Sequence, residues 1–118
     1  MKSEVGMYVR TNDGYINKIK KVNQFNVLVY GRDLFGEELN IPNNEITKAS
    51  YNIIDILEIG DIISFYEDID NYKKQYVIGI PDLITLDNIK DKITNDNIRL
   101  VSILTKEEME QMAYKVGE

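Results

Sequence analysis

Hydrophobic and polar side chains alternate over short stretches of this chain, and such stretches recur about every ten residues. Alternation with a period of two predicts β-strands that bury one face. Gly, Asn, Asp and Pro, which favour turns, separate the stretches, and NDG at residues 12–14 predicts a tight hairpin. The predicted strands are residues 7–11, 15–22, 25–30, 38–41, 46–49, 61–66, 75–80, 83–86 and 97–104. The pattern therefore predicts a mainly β protein.

The second predicted strand departs from this alternation. Its apolar residues Ile16, Ile19 and Val22 are spaced at intervals of three, which two-residue alternation does not produce. A β-bulge near Asn17 or Lys18 would return these residues to one buried face. A helix has similar spacing and is the alternative, but the preceding turn and the following strand favour the bulged strand.

A short phrase occurs twice along the chain. Residues 4–6 are EVG and residues 58–60 are EIG, and each copy precedes a β-rich run. Glycine tolerates backbone angles that allow a sharp bend into a strand. The repeat predicts two tandem SH3-like units, each a small β-barrel or β-sheet, comprising residues 1–57 and 58–118. Because units this small bury little apolar surface alone, we expect them to pack together as one cooperative body.

A capping box predicts a short C-terminal α-helix over residues 106–113. The Thr105 side chain is expected to accept a hydrogen bond from the amide of Glu108, whose carboxylate accepts one from the amide of Thr105. The helical spacing places Met109 and Met112 on the side expected to be buried.

The composition argues against most enzyme chemistry. The chain has 118 residues with no cysteine and no histidine, so the commonest general base and the commonest zinc ligands are absent. No stretch of spaced carboxylates has the ligand pattern of a calcium loop. We therefore predict a protein that is not an enzyme and has no metal or other cofactor. No apolar run is long enough to span a bilayer and no signal peptide is apparent, which predicts a cytoplasmic location without membrane association.

Several segments resemble a family of small phage and prophage proteins of Gram-positive bacteria with low genomic GC content. The similar segments are VGMYVRTNDG at 5–14, ITK at 46–48, NIIDILEIGD at 52–61, VSILTKEE at 101–108 and YKV at 114–116. The resemblance implies an accessory gene of a mobile element, and hence a location in the cytoplasm of the bacterial host. It implies no catalytic residue.

The net charge of −6, from 20 acidic and 14 basic residues, favours a basic partner and disfavours nucleic-acid phosphates. Together with the resemblance, it leads to the hypothesis of a non-enzymatic binding protein that inhibits or redirects a host defence protein, such as a CRISPR–Cas protein. The mechanism would be steric occlusion by an acidic surface. The candidate partner-binding residues are acidic groups or apolar anchors in predicted loops: Glu67, Asp68, Asp70, Tyr72, Leu34 and Phe35.

Three other functions remain open from the sequence. Lys18, Lys20 and Lys21 form a basic patch on the second predicted strand, which is either a nucleic-acid-binding surface or a solvated edge that blocks strand addition. The chain could instead be a sponge for a signalling nucleotide, held between its halves or in a homo-oligomer interface. A structural part of a phage particle is the last alternative. The oligomeric state is open, a homodimer included.

Overall fold

The computed structural model describes residues 2–31, 37–67, 73–78, 91, 98–113 and 116–117. It confirms a mainly β protein with two antiparallel sheets and a short C-terminal helix. The chain divides into two compact units, Met1–Ile56 and Leu57–Glu118. None of the helices in the described ranges has the length and apolar character that a membrane crossing needs.

The first unit is a five-stranded antiparallel sheet with the strand order β4-β3-β2-β1-β5. Its strands are β1 (Tyr8–Thr11), β2 (Ile16–Val22), β3 (Asn26–Val29), β4 (Leu39–Pro42) and β5 (Ile46–Ser50). A 3-10 turn, η1 (Asn43–Glu45), joins β4 to β5, and a second one, η2 (Ile53–Ile56), follows β5. Among the described ladders β4 and β5 are edges, so a closed barrel is not observed.

The core of the first unit comes from the inward face of four strands. Val9, Ile19, Val27, Val29 and Ile41 form one buried cluster, against which half-buried apolar residues of β5 pack. Along β3, half-buried and buried residues alternate, as expected of a strand that buries one face. Burial of these side chains stabilises the unit by about 1.5–3 kcal/mol each before entropic costs.

The predicted bulge in β2 exists, but it lies later in the strand. Ile19 opposes Val29 and Lys21 opposes Leu28, so Lys20 is the extra residue. Asn17 is itself buried and faces inward with Ile19, which keeps the alternation regular up to that point. The helix alternative is wrong, and the location near Asn17 or Lys18 is corrected to Lys20.

The second unit contains a three-stranded antiparallel sheet and the C-terminal helix. Its strands are β6 (Ile62–Glu67), β7 (Lys73–Val77) and β8 (Ile98–Leu104) in the order β7-β6-β8, followed by helix α1 (Lys106–Met112). The strand predicted at residues 83–86 lies outside the described residues. So does the segment 87–97, except for Asp91.

Helix α1 begins at the predicted cap, but its buried face is not the predicted one. The Thr105 hydroxyl accepts from the Glu108 amide at 3.3 Å and donates to the Glu108 carboxylate at 3.1 Å. No residue of α1 is buried, and Met112 is 76% exposed. The helix is therefore held at its N-terminus by polar contacts, and the expectation that Met109 and Met112 are buried is wrong.

The two EVG/EIG phrases fold in the same way. Gly6 and Gly60 both have positive φ, at 91° and 99°, as the third residue of a type II turn requires. The Gly6 amide donates to the carbonyl of Ile19 at 3.0 Å, and the Gly60 amide donates to that of Ile78 at 2.8 Å. The predicted role of glycine as a bend into each first strand is confirmed.

The strand register is also repeated between the two sheets. Tyr8 opposes Ser50 in β1–β5, and Ile62 opposes Leu104 in β6–β8, which is a shift of 54 residues on both strands. Both ladders then skip one residue of the later strand, Thr47 in β5 and Val101 in β8. The two ladders therefore share one register and the position of the skipped residue.

Candidate binding surfaces

The lysine patch lies on the outward face of the first sheet, between tyrosines. Tyr8 of β1 is directly opposite Lys18 of β2, and the amide of Tyr30 donates to the carbonyl of Lys18 at 3.0 Å. The ammonium of Lys18 is 5.7 Å from the centroid of the Tyr8 ring, and that of Lys20 is 5.7 Å from the Tyr30 ring. These are cation–π distances. Tyr8, Lys18, Lys20, Lys21 and Tyr30 are called the lysine–tyrosine face below.

The charge on this face is partly balanced. Lys20 forms an ion pair with Glu38, and the hydrogen bond from its ammonium to that carboxylate raises the pKa of Lys20 above its ordinary value. Lys20 therefore stays cationic at neutral pH. Lys18 and Lys21 are exposed, so positive charge on this face exceeds the single carboxylate.

A groove opens in the first unit between the β1–β2 hairpin and β4. It has a volume of about 430 Å³, within the range typical of ligand sites. We call it the β1–β4 groove; its lining residues come from the β1–β2 hairpin, β4 and η1, and are Thr11, Asp13, Tyr15, Asn17, Leu39, Asn40, Ile41 and Glu45. The amide of Asn12 donates to the carbonyl of Glu45 at 3.0 Å and so joins the hairpin to η1.

Asn17 is an unusual component of this groove. It is only 5% exposed, and its side-chain amide nitrogen donates to the carbonyl of Tyr30 at 3.1 Å. Its Oδ1 is buried and has no hydrogen-bond partner among the described residues. A buried acceptor without a partner lowers the stability of a fold by about 1–3 kcal/mol. Such a group therefore needs an explanation, and a donor from a bound molecule is one.

Each glycine turn is covered by a side chain that follows an edge strand of its sheet, β5 in the first unit and β8 in the second. In the first unit the Tyr51 ring lies beside Gly6 and its hydroxyl donates to Glu4. This hydrogen bond holds the pKa of the Glu4 carboxyl below its ordinary value and raises the pKa of Tyr51. In the second unit Lys106 lies over Gly60, and its ammonium is 2.8 Å from a carboxylate oxygen of Glu58.

A buried carboxylate joins the second turn to the start of α1. Asp61 is fully buried, and its carboxylate accepts from the amide of Glu58 at 2.8 Å and from the amide of Lys106 at 3.1 Å. Two backbone amides thus hold the carboxylate, which gives Asp61 a structural role. Across the described ranges, no group of three or more acidic, histidine or cysteine side chains could hold a metal ion.

The structure describes only part of the predicted partner-binding set. Leu34, Phe35, Asp68, Asp70 and Tyr72 lie outside the described residues, and Glu67 is the last residue of β6, opposite Ile98. Glu67 was expected to begin a loop that extends to Lys74. The ladder corrects this, because β6 includes Glu67 and β7 already begins at Lys73.

The β1–β4 groove and its buried asparagine were not predicted from the sequence. The available signal was the polar residue at position 17, two positions before Ile19 and therefore on the same face of a strand. The interpretation of residues 15–22 as bulged near that position obscured this signal. The lining residues also come from segments about 30 positions apart, which alternation alone cannot bring together.

Charge is distributed unequally between the two units. Met1–Ile56 contains 7 basic and 7 acidic residues, whereas Leu57–Glu118 contains 7 basic and 13 acidic residues. The whole net charge of −6 therefore belongs to the second unit.

In comparisons with known proteins, no family model, curated protein or solved structure matches this chain.

Proposed function

We propose that this chain is a non-enzymatic binding protein whose acidic second unit docks on a basic surface of another macromolecule. The segregation of all net negative charge into Leu57–Glu118 supports this most directly. A basic groove that normally holds nucleic acid would attract such a unit, and its bulk would exclude the usual ligand. With the resemblance to phage and prophage proteins, the partner we propose is a host defence protein, such as a CRISPR–Cas protein.

The proposed scaffold is a pair of related SH3-like units. The strand order β4-β3-β2-β1-β5, with a 3-10 turn between β4 and β5, supports an SH3-like first unit. The shared 54-residue register and the two skipped residues support a second unit that repeats the β2-β1-β5 part of the first. Such a scaffold presents exposed faces and loops for contact.

The test is capture of the partner from a bacterial host followed by binding measurements with charge variants. Affinity should fall about tenfold or more between 50 and 200 mM salt, because opposite charges are screened. The double variant Glu107→Gln/Glu110→Gln, in the acidic unit, should weaken binding by several fold, mainly through slower association. The matched double variant Glu37→Gln/Asp55→Asn, which removes two exposed acidic groups from the neutral unit outside the β1–β4 groove, should change it by less than about twofold. A salt-independent affinity, or equal effects of both double variants, would contradict the proposal.

The lysine–tyrosine face favours a second candidate function, binding of single-stranded nucleic acid. Its rings and ammonium groups alternate across β1, β2 and the residue that follows β3, and such faces bind by base stacking and phosphate contacts. Mobility shifts with single- and double-stranded DNA and RNA test it at about 50 mM salt.

If three lysines contact phosphates, affinity for a single strand should fall about 20-fold between 50 and 200 mM salt. Lys18→Gln/Lys20→Gln/Lys21→Gln should abolish most of the shift, and Lys48→Gln, elsewhere on the sheet, should retain it. Absence of any shift at micromolar protein would remove this candidate.

A further inference from the structure

The walls of the β1–β4 groove have a uniform charge sign. Two of the lining residues, Asp13 and Glu45, carry carboxylates, and none of the eight is lysine or arginine. Glu45 is exposed on η1 and forms no ion pair with the described residues. The groove is therefore complementary to a cation.

The inner part of the groove supplies a second, independent requirement. Asn17 is 95% buried, it lines the groove, and its Oδ1 has no hydrogen-bond donor among the described residues. Its amide nitrogen donates to the carbonyl of Tyr30, and this hydrogen bond fixes the side chain with Oδ1 as an acceptor unused by the described residues. A ligand that satisfies it must bring an N–H or O–H donor.

The groove also has an apolar wall. Leu39 lies opposite Val29, on the core face of β4, yet it is 51% exposed. Ile41, on the same face, is buried and lines the groove as well. Apolar surface beside carboxylates suits a side chain that has a methylene stem and a charged end.

We propose that the β1–β4 groove binds an arginine side chain of a partner polypeptide. A guanidinium group has five donors in a planar fork, so one group can satisfy both Asn17 Oδ1 and the Glu45 carboxylate. Its stem would pack against Leu39 and Ile41. β4 is an edge of the described sheet, so residues flanking the arginine in an extended chain can lie along it.

Lysine is a poorer match for this site. Its ammonium is a compact, strongly hydrated charge, and placing it beside a buried neutral acceptor costs more solvation than placing a guanidinium there. The neutral isostere citrulline keeps the N–H donors and the shape but loses the charge. Comparison of arginine with citrulline therefore tests the contribution of charge, and comparison of arginine with lysine tests the contribution of donor geometry.

The experiment titrates the ¹⁵N-labelled full chain with blocked tripeptides, acetyl-Leu-Xaa-Leu-amide, in which Xaa is arginine, lysine or citrulline. Amide signals of the β1–β2 turn, β4 and η1 should shift and saturate with the arginine peptide at about millimolar concentration. The lysine and citrulline peptides should bind at least about fivefold more weakly, because each loses one charge-assisted contact.

Two exposed substitutions test the site without disturbing the core. Glu45→Gln should weaken the arginine peptide about fivefold, and Leu39→Ser should weaken it by a similar factor. Glu37→Gln, which removes the same charge outside the groove, should leave the affinity unchanged. The proposal is overturned if groove signals do not shift, if the three peptides bind equally, or if Glu37→Gln acts as strongly as Glu45→Gln. These outcomes are independent of the partner of the acidic unit, since the groove lies in the neutral one.

Discussion

Asp61→Ala should lower the free energy of unfolding by about 3 kcal/mol, the larger of the two strongest effects expected from this structure. The Asp61 carboxylate is fully buried and accepts from the amides of Glu58 and Lys106, so its removal leaves two backbone donors without an acceptor. Hydrogen bonds to a charged group contribute about 1.5–3 kcal/mol each. The loss should affect both the turn at Gly60 and the first turn of α1.

Urea unfolding followed by circular dichroism and by tyrosine fluorescence measures this effect. The matched control is Glu58→Gln, which removes the ion pair with Lys106 but leaves the buried carboxylate in place. Because that pair is near the surface, Glu58→Gln should lower the free energy of unfolding by less than about 1 kcal/mol. If both variants were equally destabilised, the buried carboxylate would not have the role assigned to it.

Arg10→Ala should destabilise the first unit by about 2–3 kcal/mol, through loss of packing and of the hydrogen bond to the carbonyl of Ile56. Arg10 is fully buried in β1, and its Nη1 donates to the carbonyl of Ile56 at 3.0 Å. It therefore joins the sheet to the end of η2, 46 positions away in the sequence. Truncation would leave a cavity and a carbonyl without this donor.

Arg10→Met distinguishes packing from hydrogen bonding. Methionine fills most of the volume and removes a buried charge, whose desolvation is costly, so Arg10→Met should cost about 1 kcal/mol less than Arg10→Ala. The readout is the denaturant midpoint, with the slope of the transition as a check that both variants unfold in the same way. Equal losses in the two variants would show that the contact with Ile56, and not the filled volume, decides the stability.

Local patterns predicted most of the described strands. Alternation and turn residues gave the β1–β2 hairpin, where the amide of Gly14 donates to the carbonyl of Thr11 at 2.9 Å and φ of Gly14 is 82°. The cap at Thr105 was correct as well, because capping depends on residues only three positions apart. Signals of this kind need no knowledge of the distant chain.

The predictions that were wrong, and the features that were not predicted, depend on contacts between residues far apart in the sequence. The helix pattern of α1 implied a buried methionine face, but Asp61 and Thr105 hold the helix start while Met109 and Met112 stay exposed. Asn17 was treated as part of a bulge because the neighbouring apolar residues are spaced at intervals of three. Its burial depends on Tyr30, whose carbonyl accepts from it, and that pairing is set by the fold.

The skipped residues Thr47 and Val101 have a consequence for how this protein behaves at high concentration. Among the described strands, β5 and β8 are sheet edges, and a straight edge offers a row of amides and carbonyls to any other extended chain. An extra residue bends and twists the strand, and the Thr47 hydroxyl donates to the carbonyl of Arg10 at 3.0 Å. Both edges are thereby made poor templates for fibril growth, and deletion of Thr47 would straighten one of them and promote aggregation.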